Sequence, residues 1–129
     1  MKIISQLNHP SIQRVIGFSM VNFKHHHKSV IIREFSKNQT LFDILKKERE
    51  NKGKKSNFSF TKKLINIFGI ASGMSYLHSN NILHRELRTK NIFLDDDLKP
   101  KITEFGFFIK PANSKKMKSE SHRNDEDIP

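Results

Sequence analysis

The sequence holds no cysteine, so disulfides and thiolate metal sites are excluded and no redox compartment can be inferred from it. It has no apolar run approaching the roughly 18 residues of a membrane-spanning helix. Its start, MKIISQLNHP, lacks the apolar stretch of about 7–15 residues that marks a secretory signal. Apolar residues are scarce throughout, at 35% of 129, which allows one modest domain with a small or incomplete core. A soluble, intracellular, cytoplasmic protein with no membrane partner is the expectation. Acidic residues are also few. Against 13 of them stand 24 Lys and Arg, giving a net charge of +11. Such a balance attracts nucleic acid or anionic lipid, but the basic residues do not line one helix face with aromatics between them. The excess of Lys, Asn, Ile and Phe is read as a reflection of A/T-rich codons, and no specific nucleic-acid partner is expected.

VIGFSM (15–20) and SVIIREF (29–35) are rich in β-branched and aromatic residues and read as two strands joined by a polar loop. Three adjacent side chains, His25, His26 and His27, cannot converge on one ion without a further ligand, so that loop reads as a solvated turn. TLFDILKKERENK (40–52) opens with Thr40 and Asp43 at capping-box spacing and predicts a short helix ending near Gly53. A longer helix is predicted over 61–78, with Thr61 as cap and Phe60 stapled to Ile65. Leu64, Ile67, Phe68, Ala71, Met74 and Leu77 or His78 recur along it at three- and four-residue steps, and it expects cover on most sides. Short extended pieces follow at 82–83, 91–94 and 101–103, with DDDLKP as a turn that lacks the alternating ligands and glycine of a calcium loop. Residues 111–129 are polar, of mixed charge, and expected to be disordered.

Residues 84–91, HRELRTKN, match the pattern H-R-D-L-x-x-x-N except that Glu86 replaces its Asp, and residues 104–106, EFG, match D-F-G with the same exchange at Glu104. Either motif alone is weak. Both together, in this order, with NIFL and KIT between them and a long helix ending YLHS before them, resemble the protein kinase family, and its tyrosine-kinase-like branch most. The similarity extends back through LNHPSI and VIIREFSKNQTLFDIL to cover roughly residues 1–108.

The resemblance implies an α+β, truncated two-lobed kinase-like fold: last small-lobe strands, hinge, first large-lobe helices and catalytic loop. It implies a partial kinase-like domain over 1–110 and the start of the activation segment over 111–129. The implied activity is phosphoryl transfer from ATP, with magnesium, to a hydroxyl of a protein substrate. Glu86 then stands where a carboxylate orients the acceptor hydroxyl and takes its proton. Asn91 and Glu104 stand where magnesium is held. Arg88 occupies a place filled by Lys in most Ser/Thr kinases and by Arg in some tyrosine kinases. The backbone of Glu34 and Ser36 would meet adenine above Phe93. Ile4, Val15, His84 and Phe105 match the column that ties the two lobes.

Departures from the pattern bear on activity. Asp and Glu differ by only about 0.4 units in unperturbed pKa, so basicity is not the difficulty. Reach is: an extra methylene moves each carboxylate on the order of 1 Å, a misplacement that can cost about a hundredfold in rate. Arg33 falls at the back of the adenine pocket, where a buried guanidinium needs a partner or an escape to water. The ring of Phe93 could take up ligand volume. No G-x-G-x-x-G and no V-A-I-K occurs, and no A-P-E follows, so the chain is expected to be the middle of a kinase domain. Weak or absent ATP binding, an exposed sheet edge and marginal stability follow as expectations. Three readings stay open: a kinase-domain fragment with impaired transfer, a pseudokinase binding module, and a non-functional remnant.

Overall fold

A computed structural model describes residues 4–22, 24–37 and 39–105. Gly106 of the EFG motif and the expected disordered segment 111–129 lie outside the described residues.

After a 3-10 turn at Ile4–Gln6, β1 (Val15–Ser19) and β2 (Val30–Arg33) form an antiparallel pair. Val15 faces Arg33, and a bulge at Ile16 shifts the register so that Gly17 faces Ile32. The strands are shorter than the runs that suggested them. The intervening loop turns around Asn22, whose Oδ1 accepts the Lys24 and His26 N–H groups, each at 3.0 Å. The three histidines lie exposed in this turn.

α1 (Leu41–Glu50) begins at the expected capping box. The Thr40 hydroxyl accepts the Asp43 N–H, and the Asp43 carboxylate accepts the Thr40 N–H in return. Two donors that the helix cannot satisfy internally are thereby paired. α1 ends at Asn51, and Gly53 follows with φ of +93°, a left-handed turn that glycine adopts without steric cost.

α2 (Phe60–Ser79) departs from expectation at its start. Its cap is Ser59, not Thr61: Ser59 has extended backbone angles, and its Oγ accepts the Lys62 N–H at 3.3 Å. Phe60 is therefore already helical and does not staple; Phe58 takes the preceding position, with the Lys63 ammonium 5.9 Å from its ring centre. The far end is a Schellman motif. Asn81 sits at φ of +58°, its N–H reaches the His78 carbonyl, and the Ile82 N–H reaches that of Leu77, both at 2.9 Å. Leu77 and Ile82 are both buried, which supplies the apolar contact this motif favours. Residues 82–83 form no strand, because Ile82 is spent on that cap.

β3 (Ile92–Leu94) and β4 (Pro100–Ile102) make a second antiparallel hairpin around a turn in which Asp95 Oδ1 accepts from the N–H groups of Asp97 and Lys99. Residues 11–13 add to β4 in parallel: Ile102 donates to the Ser11 carbonyl at 2.8 Å and Gln13 to that of Ile102 at 2.9 Å.

The face that α2 buries meets the stripe its hydrophobic periodicity marks only towards the helix end, at Met74 and Leu77. Leu64, Ile67 and Phe68 are exposed, Phe68 at 76%. The buried positions are Asn66, Gly69, Gly73 and Leu77, also at helical spacing. A Cβ on Gly69 would sit 2.6 Å from Pro100 Cγ, and one on Gly73 would sit 2.9 Å from Ile102 Cδ1. The glycines are needed so that β4 can lie against the helix. One core gathers Ile4, Val15, Leu77, Ile102 and Phe105; a second holds Leu41, Phe58, Ile92 and Leu94 between α1, the loop before α2 and β3.

Candidate active site

Because β4 is pressed onto α2, the segment leaving β4 runs beside the loop that follows the helix. His84 links them. Its Nε2 meets the Thr103 carbonyl at 2.7 Å, and its Nδ1 accepts the Glu86 N–H at 3.2 Å. Asn91 completes the link. Its side-chain amide donates from Nδ2 to the Glu86 carbonyl at 2.9 Å, while its main-chain carbonyl accepts the Thr103 N–H at 2.9 Å. Both His84 and Asn91 are buried, so these bonds are shielded from water. The network ties the main chain at Glu86 and Asn91 to that at Thr103, next to Glu104, although residues 87–103 separate the two glutamates in sequence.

The backbone is strained on both sides of this cluster. Arg85 has φ of +67° and Glu104 φ of +59°, in the left-handed region that costs non-glycine residues on the order of 1–3 kcal/mol. Neighbours hold each in place: His84 and Ile82 are buried before Arg85, while Thr103 and Phe105 are buried on either side of Glu104. Arg88 leads into a 3-10 turn, Thr89–Asn91, and its carbonyl accepts the Asn91 N–H at 2.8 Å. The Lys90 ammonium lies 4.8 Å from the ring centre of Phe42, which rests this turn on α1. Glu86 and Arg88 are both solvent-exposed.

The hinge residues form a second group. Glu34 and Ser36 line one shallow pocket with Gln13, Leu94 and Lys101. The Glu34 backbone is already engaged: its N–H donates to the Arg14 carbonyl at 2.9 Å, and its carbonyl accepts from Gln13 Nε2 at 3.1 Å. A carbonyl has two lone pairs, so one acceptor site remains. The Glu34 carboxylate accepts the Arg14 N–H at 3.1 Å and pairs with Lys101 Nζ at 3.4 Å. Phe93 is half-buried, alternating with the buried Ile92 and Leu94, and bridges to Thr40 at the start of α1. It is not among the residues lining the pocket at Glu34 and Ser36.

Arg33 resolves the difficulty its position raises. Its guanidinium forms an ion pair and hydrogen bond with Glu104 Oε1. The arginine side chain is 21% exposed and the glutamate 41%, so the pair is partly screened. That hydrogen bond holds the Glu104 carboxyl below the usual glutamate range, against the opposing effect of burial. Sequence reasoning held that Arg33 needs a partner but did not find it; nor did it find Gln13 and Lys101. The one available signal was a charged residue closing an apolar strand.

The same contact decides how these residues suit magnesium. That ion demands near-octahedral oxygen coordination and sheds its water reluctantly. Here one Glu104 oxygen already serves a cation, and among the described residues no group of three or more His, Asp or Glu side chains is placed to hold a metal ion. As arranged, Glu104 offers a dication a carboxylate that already shares one oxygen with Arg33.

The family described as protein tyrosine and serine/threonine kinase matches residues 1–128. Among individual proteins, the chain is 36% identical over 104 residues to the RGS domain-containing serine/threonine-protein kinase A of Dictyostelium discoideum, covering 81% of this chain and 8% of that one. It is 33% identical over 107 residues to cysteine-rich receptor-like protein kinase 7 of Arabidopsis thaliana, covering 81% and 15%. Cysteine-rich receptor-like protein kinase 46 of the same plant is 36% identical over 105 residues, covering 81% and 16%. The chain thus spans a small part of the length of these relatives. No described helix is long and apolar enough to cross a membrane.

Proposed function

This chain belongs to the protein tyrosine and serine/threonine kinase family, and we propose that it is a kinase-domain segment in which the family reaction is impaired. That reaction is transfer of the terminal phosphoryl group of ATP to a protein hydroxyl. Within it, Glu86 is the residue that orients the acceptor hydroxyl and takes its proton, held from behind by His84 and Asn91. Arg88, two residues further along the exposed loop, faces the same incoming group. Glu34 and Ser36 offer backbone groups to adenine, while Phe93 lies outside the pocket they line. An intracellular setting, where ATP is abundant, and a protein partner go with this reading.

The observation that carries the impairment is the Arg33–Glu104 ion pair. Phosphoryl transfer depends on stabilising charge that develops between the phosphates and the acceptor. A carboxylate already paired with the protein's own guanidinium is a weaker ligand for the dication that would organise that charge. The glutamates at 86 and 104 add a reach error to this occupancy.

Incubating the purified chain with magnesium, labelled ATP and a protein acceptor tests the reading. Transfer should not exceed that of the Glu86→Ala variant; transfer that Glu86→Ala abolishes would show a competent site.

A second reading, a pseudokinase module that keeps the shape of the site to bind a protein, is favoured by one further feature. Arg33–Glu104 and Glu34–Lys101 are consecutive ion pairs that fasten β2 and the hinge to the β4 hairpin and the segment after it. A defined protein partner, bound with no response to nucleotide, would select this reading.

A further inference from the structure

Both ends of the Arg33–Glu104 bridge stand on fixed backbone. Arg33 closes β2 opposite Val15, and the next residue is clamped by the Glu34 contacts to Arg14, Gln13 and Lys101. Glu104 lies between Thr103, whose backbone is bound by His84 and Asn91, and the buried Phe105. The guanidinium keeps its charge at every accessible pH and presents a planar fork matched to a carboxylate. It is delivered by the chain itself, so it meets Glu104 at a high effective concentration and without the translational cost borne by a free ion. A dication arriving at Glu104 would have to shed water and either displace Arg33 or share the carboxylate with it beside a fixed positive charge.

Resting on the impaired-kinase reading, we propose that Arg33 is a resident cation that takes the divalent metal's place on Glu104 and excludes that metal from the cleft. Arg33, rather than the two Asp-to-Glu exchanges, then determines that the cleft rejects magnesium. Those exchanges leave a carboxylate in place; Arg33 removes its availability.

The test uses the whole chain, labelled with nitrogen-15, and Mn2+ alone as a paramagnetic probe for hard divalent ions. In the unaltered chain, added Mn2+ should not selectively broaden the amide resonances of Thr103, Glu104 and Phe105. Arg33→Met should bring that broadening on and tighten Mn2+ binding by about fivefold, which is ~1 kcal/mol at 1.4 kcal/mol per decade. The double variant with Glu104→Gln should lose it again. Broadening already present in the unaltered chain and lost on Glu104→Gln would overturn the proposal. So would a folded Arg33→Met variant that stays silent. Should Arg33→Met fail to fold, the Arg33 Nε–H resonance of the unaltered chain gives the answer. It should move on Glu104→Gln and stay in place under millimolar magnesium. Displacement by magnesium would refute the proposal. The parent reading fails separately: phosphoryl transfer that needs Glu86 would sink it, whereas Mn2+ held at Glu104 without transfer would sink only the resident cation.

Discussion

Replacing Gly69 by alanine sets two effects of known sign against each other. In an exposed helix interior the exchange stabilises by about 1 kcal/mol, because alanine loses less backbone entropy. At this position the new Cβ would lie 2.6 Å from Pro100 Cγ, and 3.1 Å from both Pro100 Cδ and Ser11 Oγ. Carbon atoms rest at about 3.5–4.0 Å, so α2 and the β4 hairpin must separate by roughly 1 Å. The proline ring cannot swing aside. Overpacking of this kind costs about 1–3 kcal/mol, so the net effect should be destabilisation by about 1 kcal/mol. Gly73→Ala should cost less, since its closest obstacle is the terminal methyl of Ile102. Urea unfolding followed by tyrosine emission reads this cleanly. Tyr76 is the sole tyrosine and tryptophan is absent. Its hydroxyl accepts the Asn8 N–H at 3.0 Å, and its ring stacks on His9 at 5.0 Å. A Gly69→Ala chain more stable than the parent by the full helix-propensity gain would refute the close helix–hairpin contact, and with it the mechanism that brings residues 84–91 and 103–105 together.

Further outcomes follow from other elements. The Asp43 carboxyl is held below the usual aspartate range, chiefly by hydrogen bonds from the side chain and backbone of Thr40. A depressed folded-state value means stability that is present above the ordinary carboxylate pKa and lost as pH falls through the depressed one. The urea midpoint should therefore drop on acidification below that range, and Thr40→Val should flatten the part due to this cap; an unchanged acid profile would contradict it. On the exposed face of α2, Phe68→Ser should change stability by no more than about 0.5 kcal/mol while reducing self-association measured by sedimentation. A loss of several kcal/mol would mean that this face is buried after all.

Local and sequential features were legible from the chain. The capping box at Thr40 and Asp43 depends on residues three apart, and the spacing alone reveals it. The two motifs were legible for the same reason, since each is a short covalent pattern, and the structure unites them through His84 and Asn91. Features fixed by distant neighbours were not. The periodicity of α2 pointed rightly to Leu77 and Met74 but also to Leu64, Ile67 and Phe68, whereas there the covered face is the one where glycine admits β4. Hydrophobicity reports what would gain by burial, not which surface a partner can approach. Ser59 and Thr61 both suit a helix cap, and the packing of Phe58 into the second core settles the choice. The partner of Arg33 lies at position 104, beyond any local pattern.

Impairment of the cleft turns on the contact between Arg33 and Glu104. Its most direct test is a double-mutant cycle on unfolding free energy, with Arg33→Met, Glu104→Gln and the pair together. For a partly exposed ion pair the coupling should be about 0.5–1 kcal/mol, with each single change costing more than its share of the double. Strictly additive single changes, with no coupling beyond error in folded variants, would contradict it.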